Sequence, residues 1–364
     1  MGQVIKDIIQ TPLLWLLVFV PIVFVAEMLW PDQHTWLFIL SVLAIVPLAA
    51  LMSKATESVA HSTGDTVGGL LNASLGNLTE MVIALTALAA GQYLLVKATI
   101  AGAIVTNSLF MLGGSFLIGG LRHHVQEFNS TSARFQASLL FLATVALIVP
   151  SAVANAERAP PGGYIQDISL GIAVLLMIAY GLGMFFALKT HKGFFGSRDH
   201  GEDDEHPWRL GIALIMLVVI TIVVALVSHV FVASLEHAAE TLGMSPAFVG
   251  FIVVAIVGAA AEILSAFTAA RKNRLDLSVG IALGSAAQIA LFVAPVLLIL
   301  SYFIGPHPMD LLFWPGAVLM MFLATLTAIL VSSSGRSAWY PGVLLLMVYG
   351  IFGITLFLLP PPAA

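Results

Sequence analysis

Charged residues are scarce in this sequence. Only 9% of its 364 residues are charged and 60% are hydrophobic, whereas soluble domains are typically about 25% charged and about 45–50% apolar. So few charges could not cover the surface of a soluble chain of this size, and the mean hydropathy of +1.04 agrees. The composition argues against a secreted enzyme, a cytosolic domain and a nucleic-acid-binding protein. It predicts an integral membrane protein whose main partner is the lipid bilayer.

Cysteine is absent altogether. The chain therefore has no disulfide, no thiolate metal site and no redox chemistry at cysteine. The net charge of −5 is small and indicates no particular class of partner.

Long apolar runs take the place of charge. A membrane-spanning helix needs about 20 mostly apolar residues, and runs such as 212–227 favour helices over a β-barrel. The predicted fold is an all-α integral membrane protein with about eleven transmembrane helices. The candidate spans lie near residues 12–29, 36–53, 67–90, 95–120, 134–155, 166–188, 209–233, 247–270, 277–303, 312–331 and 340–359. The first span has no small-residue cleavage site after it and is expected to be a retained helix.

The basic residues predict the orientation, because Lys and Arg accumulate in cytoplasmic loops. With the N-terminus in the cytoplasm, only Lys97 and Arg158 of the 14 basic residues fall outside. The other twelve fall on or near the cytoplasmic side: Lys6, Lys54, Arg122, Arg134, Lys189, Lys192, Arg198, Arg209, Arg271, Lys272, Arg274 and Arg336. We therefore expect a multi-pass protein of a bacterial-type inner membrane, with a cytoplasmic N-terminus and an external C-terminus.

One hydrophilic stretch divides the chain. Residues 191–208 carry five acidic side chains, Asp199, Glu202, Asp203, Asp204 and Glu205. The expected organisation is an N-terminal helix over 1–33, a five-helix unit over 34–190, this cytoplasmic loop and a second five-helix unit over 209–364. The loop is either a solvated linker or a surface that attracts cations. Its acidic residues are too closely spaced for an EF-hand.

The two halves resemble each other. An offset of 182 residues aligns Gly76 with Gly258 and Glu80 with Glu262, and the following spans align Asn107 with Gln288 at an offset of 181. The glutamates lie in the third and the eighth expected spans, near 67–90 and 247–270. Because these spans are five helices apart, the two copies enter the membrane from opposite sides. The pattern predicts an inverted repeat, a type of fold in which substrates and coupling ions bind near the midplane of the bilayer.

The matched glutamates are the strongest candidates for function. Glu80 and Glu262 lie deep in apolar spans with no basic partner in sequence, and burying each one costs at least about 2.5–3.5 kcal/mol. The alternative is a structural role for a protonated Glu hydrogen-bonded between helices. The neighbouring positions Asn72, Gly76 and Asn77 lie at helical spacings from Glu80, so all four residues are expected to fall on one face of the helix.

This residue set suits a hard cation. Glycine one turn before each glutamate, at Gly76 and Gly258, permits close helix packing or local unwinding that exposes backbone carbonyls. Carboxylate, amide and carbonyl oxygens are the ligands of Ca²⁺, so Glu80, Glu262 and Asn77 are the expected metal ligands. A divalent cation between two carboxylates is neutral. Its removal leaves two buried like charges, which favours protons in its place.

Other polar residues extend this candidate site. Asn107, Ser285 and Gln288 lie in apolar spans and are expected either to bind the cation, to hydrogen-bond the glutamates or only to join helices. Three further acidic residues lie near the membrane boundaries and are either pathway ligands, proton relays or surface residues: Glu57, Glu236 and Glu240. No resident cofactor is expected, since Ca²⁺ would be the cargo.

Several motifs resemble the Ca²⁺/H⁺ antiporter (CAX) family of the Ca²⁺/cation antiporter superfamily. The segments are 55–57, 68–80, 126–134, 253–262 and 275–295, which follow one another in the family's order. The resemblance implies two inverted five-helix repeats behind an extra first helix, with Ca²⁺ bound by Glu80 and Glu262. The sequence departs from the family pattern at Ala259, Ile263 and around Ala103, where the family commonly has Asn, His and Ser.

The leading hypothesis is a secondary transporter that exchanges Ca²⁺ for H⁺ by alternating access. The open alternatives are a Na⁺/Ca²⁺ or other cation exchanger of the same superfamily, an intramembrane metal-dependent hydrolase and a cation channel. The sequence leaves the oligomeric state open, and a homo-oligomer is one possibility.

Overall fold

The computed structural model describes residues 2–63, 65–154, 164–191 and 207–358. Arg158 and the five acidic residues of the central loop lie outside the described residues. The helices of the first half, in chain order, are α1 Gly2–Gln10, a 3₁₀ turn Pro12–Val18, α2 Phe19–Leu29, α3 His34–Ser62, α4 Asp65–Leu75, α5 Leu78–Ala89, α6 Tyr93–Val105, a π-helical turn Thr106–Met111, α7 Leu112–His123, α8 Ser130–Ala154, α9 Tyr164–Phe185 and a π-helical turn Phe186–Thr190.

The second half follows the same order of elements. Its helices are α10 Leu210–Thr241, α11 Pro246–Phe248, a π-helical turn Val249–Val254, α12 Ala255–Gly258, α13 Ala260–Arg271, α14 Leu275–Gln288, a π-helical turn Ile289–Val293, α15 Ala294–Leu300, α16 Pro315–Ser332 and α17 Trp339–Leu358. Two short strands, β1 Val125–Glu127 and β2 Arg336–Ala338, pair antiparallel and join the loops before α8 and α17.

The all-α membrane class is confirmed. Nine helical segments of the described chain are long and apolar enough to cross a membrane, or ten if a pair bent by 59° counts as one span. That pair joins α11–α12 to α13. The third expected span, 67–90, is two short helices, α4 and α5, rather than one continuous helix. The count of eleven spans stays a prediction.

The packing is approximately two-fold. The long helices α3 and α10 run antiparallel to each other. Two contacts show this direction: Ser58 accepts a hydrogen bond from the Trp208 amide at one end, and His34 stacks on His237 at the other. The helices α8 and α16, which occupy matching places in the two halves, also pack together. The helix breaks and the largely buried π-helical turns Thr106–Met111 and Ile289–Val293 position the candidate site.

Candidate cation-binding site

Two helix breaks place the glutamates. In the first half, α4 ends at Leu75 and α5 begins at Leu78, so Glu80 lies in the first turn of α5. In the second half, α12 ends at Gly258 and Glu262 lies in the first turn of α13. A carboxylate in the first turn is stabilised by the partial positive charge of the helix N-terminus. Both candidates therefore occupy the same local environment.

The first break separates residues that the sequence placed on one helical face. Asn72 lies on α4, before the break, and its side chain is exposed. Asn77 lies in the break and Glu80 follows it, and both are buried. The chain turns at Gly76 and Asn77. Glycine favours such a turn because it has no side chain to restrict the backbone or to keep neighbouring helices apart.

Each glutamate packs against the glycine of the other half. A Cβ atom added to Gly258 would lie 2.8 Å from Cγ of Glu80. A Cβ atom added to Gly76 would lie 3.9 Å from Oε1 of Glu262 and from Oε1 of Gln288. The structure thus brings the two halves of the predicted site together.

A hydrogen-bond chain links three helices of this site. The Asn107 Nδ2 atom donates to the Ser285 hydroxyl at 2.9 Å, and that hydroxyl donates to Oδ1 of Asn77 at 2.6 Å. The Nδ2 atom of Asn77 donates to Oε1 of Gln288 at 2.9 Å. Asn107 lies in the π-helical turn Thr106–Met111, and Gln288 directly precedes the turn Ile289–Val293; such turns are frequent at functional sites.

Three oxygen atoms of the site are buried without a hydrogen-bond partner among the described residues. They are Oε1 of Glu80, Oε2 of Glu262 and Oδ1 of Asn107. Leaving a buried acceptor unsatisfied costs about 1–3 kcal/mol, and more for a charged one. Unpartnered oxygens of this kind suit a hard cation or, at the carboxylates, a proton.

A cavity of about 490 Å³ leads to the site from one face of the protein. Its lining includes Glu262, Ser285 and Gln288 of the site, together with Glu57 and Asn72. The hydroxyl of Ser53 donates to Glu57 at 3.2 Å. Glu80 is not part of the cavity lining and is only 4% exposed, so Glu262 is the glutamate that the cavity reaches.

Gln136 is a cavity residue that sequence reasoning missed. It lies on α8 and lines the cavity, and its Oε1 atom has no hydrogen-bond partner among the described residues. The available signal was a polar residue near the start of an apolar span. That signal is weak because the same pattern is typical of an interfacial residue.

The two remaining pathway candidates lie elsewhere. Glu236 and Glu240 are exposed near the end of α10, at the membrane face opposite Glu57, since α3 and α10 run in opposite directions. Neither lines the cavity described above. Their role stays a prediction.

The fold and site define a polytopic helical membrane protein with two carboxylates at the broken helices of two inverted halves, an arrangement typical of secondary transporters. The family described as "Sodium/calcium exchanger protein" matches residues 33–189 and 212–358. The chain belongs to this family.

Relatives match over nearly the whole chain. The chain is 41% identical to a Ca²⁺/H⁺ antiporter of Aphanothece halophytica, over 95% of this chain and 96% of that protein. It is 39% identical to the Ca²⁺/H⁺ antiporter ChaA of Bacillus subtilis, over 91% and 93%. The solved structure of native YfkE matches with a TM-score of 0.82 and 36% identity, over 95% of this chain and all of that one. The resemblance to Ca²⁺/H⁺ antiporters is thereby confirmed.

Proposed function

We propose that this protein exchanges Ca²⁺ for H⁺ across a membrane by alternating access. The observation that carries the proposal is the pair of buried, unpartnered carboxylate oxygens of Glu80 and Glu262 at the meeting point of the two halves. The names and structures of the relatives support the same pair of ions.

Ca²⁺ binds between the two carboxylates in this proposal. The amide oxygen of Asn77 already accepts a hydrogen bond from the Ser285 hydroxyl, whereas the amide oxygen of Asn107 has no hydrogen-bond partner among the described residues. We therefore assign Asn107 as the amide ligand and Asn77 as the residue that orients Ser285 and Gln288. Backbone carbonyls at the breaks after Gly76 and Gly258 complete the oxygen ligands that Ca²⁺ prefers.

Protons replace Ca²⁺ at the same two carboxylates. Without the divalent ion, two like charges lie close together in a site of low dielectric constant, and protonation relieves the repulsion. The positions where further ligands for Na⁺ would be needed are buried alanines, namely Ala103, Ala259, Ala286 and Ala287. This favours H⁺ over Na⁺ as the counter-ion.

The two halves differ at their matching contacts, which supports alternating access. On the face without the cavity, a Cβ atom added to Gly250 would lie 2.6 Å from Cβ of Ala98, and one added to Gly102 would lie 2.3 Å from the Phe251 carbonyl oxygen. These distances show that α6 and the π-helical turn Val249–Val254 touch, so this face is closed.

The matching contact on the other face is open. Gly280 is the counterpart of Ala98 at the 182-residue offset, and a Cβ atom added there would meet nothing within 4 Å. Gly284, the counterpart of Gly102, would meet only the Gln136 side chain, at 3.6 Å. The proposed transport step exchanges these two arrangements, so that α4 closes on α14 while the contact of Ala98 with Gly250 opens.

The cavity face is assigned to the cytoplasm. It carries Lys54, Arg134 and Arg274 at or near the cavity mouth, and Lys and Arg accumulate on the cytoplasmic side. The N-terminus then lies in the cytoplasm and the C-terminus outside. We propose the five-helix units 34–190 and 209–364 as the two repeats, with 1–33 outside them and 191–208 as the cytoplasmic link.

The counter-ion is tested with the purified protein in liposomes. An imposed pH gradient is expected to drive ⁴⁵Ca²⁺ uptake without Na⁺, and a Na⁺ gradient at equal pH is expected to drive none. Uptake driven by Na⁺ but not by H⁺ would identify a Na⁺/Ca²⁺ exchanger instead and overturn the proposal.

A further inference from the structure

An ion pair lies beside the contact that closes the second face. The Lys97 ammonium lies 2.6 Å from Oδ1 of Asp310, and the two side chains are 14% and 31% exposed. Lys97 precedes Ala98, the residue in contact with Gly250. The sequence indicated only that Lys97 falls outside the positive-inside pattern.

The loop that carries Asp310 is held in place from several sides. Oδ1 of Asp310 also accepts the Leu312 amide at 2.7 Å. The Ser301 hydroxyl accepts a hydrogen bond from the Met309 amide at 2.8 Å, and the Ser169 hydroxyl accepts one from the Leu311 amide at 3.0 Å. Asp310 therefore presents a fixed carboxylate to the end of α6.

The residue that corresponds to Lys97 in the second half indicates where the Lys97 charge lies relative to the proposed ion pathway. At the 182-residue offset Lys97 corresponds to Val279, and Val279 lines the open cavity. Under alternating access, the position of Lys97 lines the corresponding vestibule when the closed face opens. The cavity thus has an apolar residue at this position, whereas the counterpart position in the first half is a lysine.

We propose that Lys97 is a positioning residue that makes cation affinity different at the two faces. Its ammonium group, oriented by Asp310, repels a divalent ion that enters from the closed face and competes with that ion for the Asp310 carboxylate. The affinity for Ca²⁺ is then lower at the Lys97 face than at the cavity face. Ca²⁺ that binds from the cavity therefore dissociates readily at the Lys97 face. This inference rests on the proposed function, because it requires that ions pass between α6 and the turn Val249–Val254.

The test compares the two faces of the same protein. Inside-out and right-side-out membrane vesicles give the Ca²⁺ concentration for half-maximal H⁺-coupled transport from each face. For Lys97→Gln this concentration is expected to fall about 3- to 10-fold at the Lys97 face, the size expected for a unit charge acting on a divalent ion across a partly hydrated vestibule. It is expected to remain unchanged at the cavity face.

Three further variants separate charge from structure. Lys97→Arg keeps the charge and is expected to keep the wild-type difference between the faces. The double variant Lys97→Gln with Asp310→Asn removes both charges and is expected to lie between the wild type and Lys97→Gln. Lys272→Gln removes an exposed charge beyond the end of α13, on the cavity side, and is expected to leave the affinity at the Lys97 face unchanged.

The outcomes distinguish the two proposals. Absence of H⁺-coupled Ca²⁺ movement in the wild-type vesicles would refute the proposed function and this inference with it. Exchange by the wild type, with the same affinity at the Lys97 face in Lys97→Gln, would overturn the role of Lys97 alone. An equal change at both faces would also overturn it, because that result indicates a general effect on folding or on the central site.

Discussion

Replacing Gly258 with alanine places a methyl group directly against Glu80. The added Cβ atom would lie 2.8 Å from Cγ of Glu80, and 3.5 Å from its carboxyl carbon. Ordinary van der Waals contacts lie at 3.4–4 Å, so the Glu80 side chain has to move by about 1 Å to relieve the overlap.

The expected effect is much larger on transport than on folding. Overpacking of this kind costs about 1–3 kcal/mol of stability, less than the about 5–15 kcal/mol by which folded proteins are typically stable. A displacement of about 1 Å at a reacting or coordinating group can cost about 100-fold in rate. Gly258→Ala is therefore expected to fold and to lose H⁺-driven Ca²⁺ uptake by about 10- to 100-fold.

The assay is ⁴⁵Ca²⁺ uptake into proteoliposomes under an imposed pH gradient, with thermal unfolding measured on the same samples. Gly350→Ala is the matched control, because a Cβ atom at this helical position of α17 meets nothing within 4 Å. It is expected to transport like the wild type. Wild-type uptake by Gly258→Ala would refute the contact between the two halves at the site.

Three other predictions test the closed face, the hydrogen-bond chain and the shared site. Gly250→Ala would place a Cβ atom 2.6 Å from Cβ of Ala98 and is expected to keep this contact from closing and to lower uptake, whereas Gly280→Ala adds a methyl group at the open counterpart position of Ala98, where a Cβ atom meets nothing within 4 Å; wild-type uptake by Gly250→Ala would contradict a contact that closes during transport. Ser285→Ala leaves Asn77 and Asn107 without their shared hydroxyl and is expected to weaken Ca²⁺ affinity about 5- to 150-fold, equivalent to about 1–3 kcal/mol, as measured by the Ca²⁺ dependence of uptake. Lowering the pH on the cavity side is expected to raise the Ca²⁺ concentration for half-maximal transport, since protons compete for the same carboxylates; a competition-free pH profile would argue for separate sites.

The sequence was sufficient to identify the central residues. Scarcity of charge made Glu80 and Glu262 conspicuous, and their matching neighbours Gly76 and Gly258 indicated a repeat. Both positions follow from local physics, since a buried carboxylate without a cationic partner is costly wherever it lies. The all-α class followed equally directly from the apolar runs.

The side-chain partners could not be predicted in the same way. Ser285 joins Asn77 to Asn107 across about 200 positions of sequence, and nothing in the periodicity of either span specifies such a pairing. The helix break also changed one expectation, because Asn72 lies before it and no longer shares a continuous face with Glu80.

The open face is a second feature beyond the reach of sequence. The repeats present nearly equivalent contacts, with Gly250 against Ala98 in one half and Gly280 at the counterpart position of Ala98 in the other. Which contact is closed depends on small differences in packing energy between two arrangements of the same elements. The pairing of Lys97 with Asp310 likewise depends on a loop fold that hydropathy does not encode.

Simultaneous recording of Ca²⁺ uptake and proton release, in proteoliposomes that contain wild-type protein, Glu80→Gln or Glu262→Gln, tests whether both ions use the same two carboxylates. We expect coupled movement of both ions in the wild type and loss of both in each variant, because each glutamine removes one of the two charges that Ca²⁺ and H⁺ share. Coupled exchange at the wild-type rate by either variant would contradict this expectation.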